Sequence, residues 1–326
     1  MKSPALWICG SVLACNAFAF STAIRAADVY PNKPVRIVLP AAVGGSTDVV
    51  GRIIGMQLSE RMGVQVVADN RAGAGGVIAM EMVSKAAADG YTLLLVSASQ
   101  STQPALRKLP YDPLKSFVPI AKLASAFLVL VVHPSVPVKS VKELLALAKR
   151  KPGEIFFSGT GTGAHTTMAT ELFKIMAGIN VVVVEYKSGG PAVIDLLGGH
   201  TQAMLATIAS VLPQIKAGKL RSLATSGVER SALLPDVPTI SEAGVPGYAT
   251  VQWHGLLAPA GTPALIIDKL HAEIKAILST DAVRKRLLDA GTETEYLGPT
   301  EFGAFYVREM DQWASVIRKA NIALKE

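Results

Sequence analysis

The segment GGSTD at residues 44–48 combines residue types that hold small anions in proteins. Glycine allows the backbone to come close to a ligand, and Ser, Thr and Asp are residues that commonly begin a helix. The first amides of a helix lack acceptors within it and together carry roughly half a positive charge. This turn therefore predicts a carboxylate site. Its candidate residues are Gly44, Gly45, Ser46, Thr47 and Asp48.

Two later turns repeat this composition. Residues 159–165, GTGTGAH, separate an apolar run from a helical pattern, and residues 186–191, YKSGGP, do the same. The loop predicted at 98–103 follows another apolar strand and adds two secondary positions. The further candidates are Thr160, Gly161, Thr162, Gly163, His165, Lys187, Ser99 and Gln100.

Two of these side chains have alternative interpretations. Asp48 either contributes to the site or only caps the helix, because its charge would repel an anion. His165 either donates to a ligand or serves the structure alone, as a helix cap, as a donor to a backbone carbonyl or as a core residue.

The first 26 residues have the layout of a secretory signal peptide. Lys2 precedes an apolar run at 5–20, and small residues at 23–27 allow cleavage, which we place after Ala26. Lipoprotein-type cleavage at Cys15 is the alternative, although Leu13 fits that pattern poorly. Both cysteines lie in this segment, so the remaining 300 residues can form neither a disulfide nor a cysteine-ligated metal site.

Composition excludes several function classes. The formal net charge is +7, of which Lys2 and Arg25 contribute two, leaving +5 for the rest. The basic clusters are short and lack interleaved aromatic residues, which argues against nucleic-acid binding. The five histidines show no metal-ligand spacing, and no metal or cofactor is expected.

The order of apolar and helical segments predicts an α/β fold. Strands at 37–40, 64–68, 91–97, 154–158, 181–185 and 220–225 are mostly apolar rather than alternating, as in mostly parallel sheets flanked by helices. Ligands of such sheets bind at the carboxyl ends of the strands. A capping box at Ser140 and Glu143 begins one helix, and a short helix is expected within 235–246. Three final helices include an apolar stripe: Phe302, Phe305, Trp313, Val316 and Ile317.

Two extended pieces within 118–132, interrupted near residues 124–126, and an extended segment at 248–258 are the predicted crossings between two domains. The first domain is assigned to residues 27–125 and 252–326, and the second to residues 126–251. A length of 300 residues suits two domains that enclose a ligand between them.

Two enzymatic alternatives remain open at this point. Residues 159–164 satisfy the dinucleotide pattern G-x-G-x-x-A, with Glu185 ending the next predicted strand. Export from the cytoplasm and the position of the unit in mid-chain weigh against a nicotinamide enzyme. A hydrolase would pair Ser46 with His165 and Asp48, but Ser46 lacks the G-x-S-x-G turn of such nucleophiles.

Several segments, in order and at compatible spacing, closely resemble one family. The chain is similar to the extracytoplasmic solute receptors of tripartite tricarboxylate transporters, also called Bug receptors. The matching segments are YP at 30–31, KPVR at 33–36, GGSTD at 44–48, NRAGAGG at 70–76, DGYTLL at 89–94, LPYDP at 109–113, ELFK at 171–174, GKLR at 218–221, PDVPT at 235–239, EAG at 242–244 and APAGTP at 258–263.

The resemblance implies a periplasmic binding protein of type II, with a ligand cleft between two domains and no catalytic activity. It implies that a small carboxylate is held by amides and hydroxyls of the loops at 44–48 and 160–165, often through water. The implied partner is a membrane permease, and the receptor is expected to be monomeric. A ligand sensor for a signalling partner is the alternative role.

Three positions depart from the family pattern. Members often carry an aromatic or larger residue in place of Ala41, a histidine in place of Gln100, and an acidic or amide residue in place of Ala206. These differences imply a roomier and less polar pocket. Since an acidic residue at position 206 would recognise an amine, Ala206 favours a mono- or dicarboxylate with an apolar or aromatic body over an amino acid.

Overall fold

The computed structural model describes residues 30–322, and its strands and helices alternate along most of that range. Its strands are β1 Val35–Leu39, β2 Val66–Asn70, β3 Thr92–Ser97, β4 Phe117–Val132, β5 Phe156–Gly159, β6 Val182–Glu185, β7 Ala203–Thr207, β8 Arg221–Thr225, β9 Val251–Pro259 and β10 Glu293–Leu297. Its α-helices are α1 Ser46–Met62, α2 Val77–Ser84, α3 Ala98–Leu106, α4 Val141–Arg150, α5 His165–Ala177, α6 Gly189–Leu197, α7 Ile208–Lys216, α8 Ala264–Leu278, α9 Asp281–Asp289 and α10 Pro299–Lys319.

Strand β4 belongs to two sheets. Its first part pairs antiparallel with β9, from Phe117 opposite Pro259 to Phe127 opposite Val251. From Leu128 onward it pairs antiparallel with β7 on one side and with β8 on the other. One continuous strand therefore joins the two sheets, and the point at which its partner changes lies at residues 127–128.

Each sheet contains three adjacent parallel strands, as the βαβ pattern predicted. In the first sheet β1 lies between β2 and β3, and in the second β5 lies between β6 and β7. The strands that lead between the sheets run antiparallel to these, β9 beside β3 and β4 beside β7. Because parallel strands end at the same edge of a sheet, the turns after β1, β3, β5 and β7 are gathered at two edges.

Helix α10 contributes to the cores of both sheets. Phe302 and Tyr306 pack with Trp253 in a cluster on the first sheet, whereas Trp313 and Val316 belong to the core of the second. The predicted apolar stripe is thus confirmed as core packing, with Phe305 partly buried. Within residues 30–322, no helix has both the length and the apolar composition to cross a bilayer.

The local predictions had mixed outcomes. The helix start at Ser140 is confirmed, since its hydroxyl accepts from the Glu143 amide at 3.2 Å. The loop predicted at 98–103 was wrong, because these residues form most of α3. The short helix expected within 235–246 is only a turn, in which Thr239 and Glu242 bond reciprocally. Gly244, with φ of 132°, then prevents the helix from continuing.

The contact between Gly255 and Phe302 positions α10 on the first sheet. A Cβ atom at Gly255 would lie 2.1 Å from Cζ of the fully buried Phe302 ring. Gly255→Ala is therefore expected to lower the free energy of unfolding by about 1 to 3 kcal/mol, as in other overpacked cores. Thermal unfolding would measure this loss, and Phe302→Leu in the same chain should recover part of it. Gly190→Ala is the matched control, since its Cβ would contact nothing within 4 Å.

Candidate ligand-binding site

The turn after β1 presents the open start of helix α1. Gly45 is the N-cap residue, with extended φ and ψ, and no side chain among the described residues caps this end. The amides of Ser46, Thr47 and Asp48 have no acceptor within residues 30–322, because the first internal bond runs from Val49 to the Gly45 carbonyl. Three amide donors of one helix start are therefore free to bind an anion.

Asp48 is neither the N-cap residue nor free to contact a ligand. It is the third residue of α1, and its side chain is only 4% exposed. Its Oδ2 accepts from the Gly44 amide, and its Oδ1 accepts from Arg52 Nε and Asn70 Nδ2, each at 2.9 Å. The interpretation of Asp48 as an N-cap was therefore wrong, because its carboxylate reaches back to shape the turn instead. Asn70 also donates to the Ala41 carbonyl, which fixes the turn to the end of β2.

These bonds decide the charge of Asp48. Burial acts to raise the pKa of its carboxyl, but the hydrogen bonds from Arg52, Gly44 and Asn70 outweigh that effect and lower the pKa below its ordinary value. Asp48 is thus ionised at neutral pH, and its charge is compensated within the turn.

The turn after β5 has the same form. Ala164 is the N-cap of α5, and the amides of His165, Thr166 and Thr167 have no acceptor in the described part of the chain. The Thr160 amide donates to Thr167 Oγ1 at 2.9 Å, and the Thr160 and Thr166 hydroxyls bond to each other. The hydroxyl of Thr162 donates to Glu185 Oε2 at 2.6 Å. The second helix start is thus held open by threonine hydroxyls.

His165 is a buried, neutral side chain at this helix start. It is 2% exposed, its Nε2 lies 3.3 Å from Thr250 Oγ1, and its ring contacts Trp313 edge to face at 5.4 Å. Burial lowers the pKa of its imidazole to about 3. Its Nδ1 is buried without a partner among residues 30–322, so it retains unused hydrogen-bonding capacity.

Gln100 serves the structure rather than the ligand in this conformation. Its Oε1 accepts from the amide and hydroxyl of Ser97 as part of a capping box, and its Nε2 donates to the Gly75 carbonyl. Both the oxygen and the nitrogen of the Gln100 side-chain amide are therefore hydrogen-bonded to the protein. Ser99, half-buried on the first turn of α3, keeps its hydroxyl without a partner in the described residues.

The remaining two candidates lie on the second sheet. Lys187 is exposed in the turn before α6, which adjoins the turn after β5 because the Tyr186 amide donates to the Gly159 carbonyl. Ala206, the residue before the last of β7, lies opposite Val129 and is 1% exposed, and its side chain packs in an apolar cluster. An acidic residue at position 206 would thus be placed against apolar side chains.

Helix α3 brings the two groups of candidates together. Thr102 Oγ1 contacts the Gly163 carbonyl at 3.1 Å, so the helix after β3 lies against the turn after β5. At its other side, Gln100 bonds the glycine turn at 73–76, which approaches Pro40 at the end of β1. The turn at 44–48 itself makes no hydrogen bond to the turn at 159–165 among the described residues.

Sequence reasoning missed the residues that hold the site in place. Asn70 could have been identified, because it is a polar residue at the carboxyl end of a predicted apolar strand. Thr250 and Trp313, which surround His165, carry no such signal, since they reach it from distant parts of the chain.

Removing the charge of Asp48 tests whether this carboxylate shapes the turn. Asp48→Asn should lower the free energy of unfolding by about 1 to 3 kcal/mol at pH 7, the cost of unpaired buried groups. Because the folded pKa is lowered, the deficit should persist above the ordinary pKa and shrink as the pH falls through the folded value. Denaturant unfolding at pH 7 and pH 3 measures both quantities, and an equal deficit at the two pH values would contradict this account.

Buried histidines should make the fold less stable in mild acid. Burial lowers the pKa of His254 to about 4, whereas the unfolded residue titrates near its ordinary 6.5. The unfolded chain therefore binds more protons between these values, and stability falls as the pH drops below 6.5. His254→Leu should gain about 2 kcal/mol relative to the parent protein between pH 8 and pH 5. Urea titrations at both pH values measure the difference in unfolding free energy between the variant and the parent protein. The same difference at pH 8 and at pH 5 would contradict this prediction.

Known proteins resemble this chain over nearly its whole length. A family described as tripartite tricarboxylate transporter family receptor matches residues 50–322. Protein BugT of Bordetella pertussis is 38% identical over 302 residues, covering 92% of this chain and 93% of that protein.

Two solved structures share the fold. An R. palustris protein with adipate has a TM-score of 0.79 and 35% identity, and covers 90% of this chain and 99% of its own. MatC from Rhodopseudomonas palustris with bound malate has a TM-score of 0.75 and 31% identity, and the match covers 88% of this chain and 100% of that chain. The predicted α/β fold of two-domain periplasmic binding proteins is thereby confirmed.

These relatives are substrate-binding receptors rather than enzymes. This relationship argues against the dinucleotide interpretation of residues 159–164 and against the hydrolase interpretation of Ser46, His165 and Asp48. The open helix starts, the strand shared by two sheets and the length of the match agree with that relationship. The chain belongs to the tripartite tricarboxylate transporter family of receptors, which includes the Bug proteins.

Proposed function

We propose that this chain is a periplasmic receptor that holds a small carboxylate between two domains and delivers it to a tripartite tricarboxylate-type permease. The observation that carries the proposal is the pair of open helix starts, one after β1 and one after β5, whose first three amides lack acceptors among residues 30–322. Two such starts on different sheets suit an anion that is bound from both sides.

We propose the domain division 27–125 with 252–326, and 126–251. In support, β4 changes its partners at residues 127–128, and the returning strand β9 begins at Val251. The two domains would then close on the ligand by bending at residues 127–128 of β4 and at the start of β9. Helix α10 packs on both sheets and would resist large rotations.

The ligand we favour is a mono- or dicarboxylate with an apolar or aromatic body. Relatives bind adipate and malate, two aliphatic dicarboxylates. The small side chain of Ala41, in the turn after β1, leaves room for an apolar body, and Ala206, buried in an apolar cluster, offers no polar partner to an ammonium group. Three or four charge-assisted hydrogen bonds of about 1.5 to 3 kcal/mol each reach the roughly 8 kcal/mol of micromolar binding, before the cost of closure.

Export to the periplasm is part of the proposal. It rests on the layout of residues 1–26, which lie outside the described residues, and on the family relationship. The permease is the partner that this family of receptors serves, and delivery to it would require the loaded and empty forms to differ in closure.

The site is tested by a substitution that removes one amide donor from the start of helix α1. Proline is tolerated in the first turn of a helix, and Gly45 has the extended conformation that a following proline requires. Ser46→Pro should therefore keep α1 and weaken carboxylate binding by about 10- to 100-fold, the loss of one charge-assisted bond. Calorimetry of residues 27–326 against adipate, malate, benzoate, aspartate and NAD measures this effect.

Two controls separate the amide from other changes. Ser46→Ala removes the hydroxyl but keeps the amide, and should bind almost as the parent does. Asp281→Pro places proline at the first position of the distant helix α9, after a residue with extended φ and ψ, and should leave affinity unchanged. Equal binding by Ser46→Pro would overturn the assignment of this turn. Binding of NAD with no response to any carboxylate would overturn the proposed function.

A further inference from the structure

A cavity of about 510 Å³ lies behind the strands that connect the two sheets. We call it the crossing cavity, formed by β4 at residues 122–127, residues 228–229 after β8, residues 249–251 that enter β9, β10 at residues 293–295, and α10. None of the carboxylate-site candidates lines it. β8 and β10 pair with β4 on the side away from β7 and β9, and one wall residue, Thr250, lies 3.3 Å from Nε2 of His165 at the second open helix start.

The charge of the crossing cavity is negative. Four carboxylates line it, those of Glu229, Glu293, Glu295 and Glu309, against the single ammonium of Lys122. Lys122 is 1% exposed and already satisfied, since its Nζ pairs with Glu295 and lies 4.2 Å above the Phe305 ring. The other three carboxylates form no salt bridge with a described residue, although Glu293 accepts from Ser231 and the Ala232 amide, so the cavity would repel an anionic ligand and attract a cation.

Glu309 presents an unused oxygen to this space. The residue is 9% exposed, and its Oε2 accepts from the indole groups of Trp253 at 2.8 Å and Trp313 at 3.1 Å. Its Oε1 accepts from no donor among residues 30–322. Two indole bonds thus fix the carboxylate in one orientation, with its second oxygen available to a ligand in the cavity that Glu309 lines.

Two hydroxyls on the cavity wall also lack partners. Ser125 is 1% exposed, and its Oγ makes no hydrogen bond to any described residue. The Oγ1 of Thr294, from the neighbouring strand, is likewise buried without one. Buried polar atoms normally have partners, so these two hydroxyls retain unused hydrogen-bonding capacity at the base of the cavity wall.

Apart from Thr250, whose hydroxyl lies 3.3 Å from His165 Nε2, the rest of the wall is apolar. Phe127, Val228 and Val251 line the cavity beside Phe305, and Val228 is 81% exposed at its rim. A ligand would therefore combine a cationic group near Glu309 and Ser125 with an apolar body against these side chains. The volume lies in the range of small-molecule sites.

We propose that the crossing cavity is a second ligand site, which binds a small organic ammonium ion with an apolar or aromatic body. The ammonium donates to Glu309 Oε1 and to the hydroxyl of Ser125, and the body packs against Phe127 and Val251. Its lining shares no residue with the carboxylate-site candidates. Because its wall includes both strands that connect the sheets, its occupancy is expected to change carboxylate affinity, and reciprocally.

Tryptophan fluorescence offers a direct readout. The chain has three tryptophans, and Trp7 lies outside residues 27–326, so the two that remain both bond to Glu309. The test titrates this protein, without carboxylate, with tyramine and with 2-(4-hydroxyphenyl)ethanol, which has the same body and a hydroxyl in place of the ammonium. Tyramine should change the emission saturably, with an affinity at least tenfold above that of the alcohol.

Variants identify the site. Glu309→Gln keeps an acceptor for the two indoles but removes the charge, and should weaken tyramine binding at least tenfold in calorimetry. Glu154→Gln is the matched control, an exposed carboxylate two residues before β5 that does not line the cavity, and should bind tyramine unchanged. Should Glu309→Gln unfold, Glu229→Gln, at an exposed position on the rim, should weaken tyramine severalfold.

The opposite results would overturn the second site. These are no saturable binding of tyramine, equal affinity for tyramine and the alcohol, or equal losses in the cavity variant and in Glu154→Gln. Carboxylate binding is measured separately on the same samples, so failure of this proposal leaves the receptor function untouched.

Discussion

The continuity of strand β4 is the constraint on which the rest of the structure depends. Sixteen residues run through both sheets, pairing first with β9 and then with β7 and β8. A strand in a ladder cannot slip by one residue without exchanging its two faces, so the register on one sheet fixes the register on the other. The open helix starts after β1 and β5 owe their relative placement to this strand.

Backbone and side chains have different tasks at the candidate carboxylate site. The free donors are amides of the first helical turns, whereas charged and polar side chains are occupied in holding the turns in place. Asp48 satisfies Gly44, Arg52 and Asn70, and Gln100 joins Ser97 to Gly75. A site built in this way is positive mainly through the helix ends, which supply the field at the free amides.

The crossing cavity differs from the carboxylate site, because buried side chains rather than backbone amides set its charge. There the side chains, Glu309 and Lys122 above all, are buried in or near an apolar core, and their charges are balanced by indole donors and by an ion pair. Burial acts to raise the pKa of Glu309, and the two indoles and Lys122 act to lower it, with burial prevailing. Helix α10 places Glu309 between the cores of the two sheets. A movement of one sheet relative to the other would therefore change the surroundings of this buried carboxylate.

The sequence by itself determined the βαβ units, the glycine-rich helix starts and the apolar stripe of α10, because these depend on periodicity and on residue types within a few positions. It also identified the family, through segments spread along the chain. It did not determine β7 and α7, whose short apolar runs lack clear boundaries, or β10, whose sequence ETEYL is mostly polar, and it mistook the start of α3 for a loop.

Only the tertiary structure decided which polar side chains remain available. Asp48 and Gln100 carry suitable groups, but partners that lie far away in sequence, Asn70 and Gly75, occupy them. The setting of His165 depends on Thr250 and Trp313, and the crossing cavity on strands that meet only after folding. The physical reason is that local patterns reveal which hydrogen-bonding groups exist, whereas their free capacity depends on contacts that form across the whole chain.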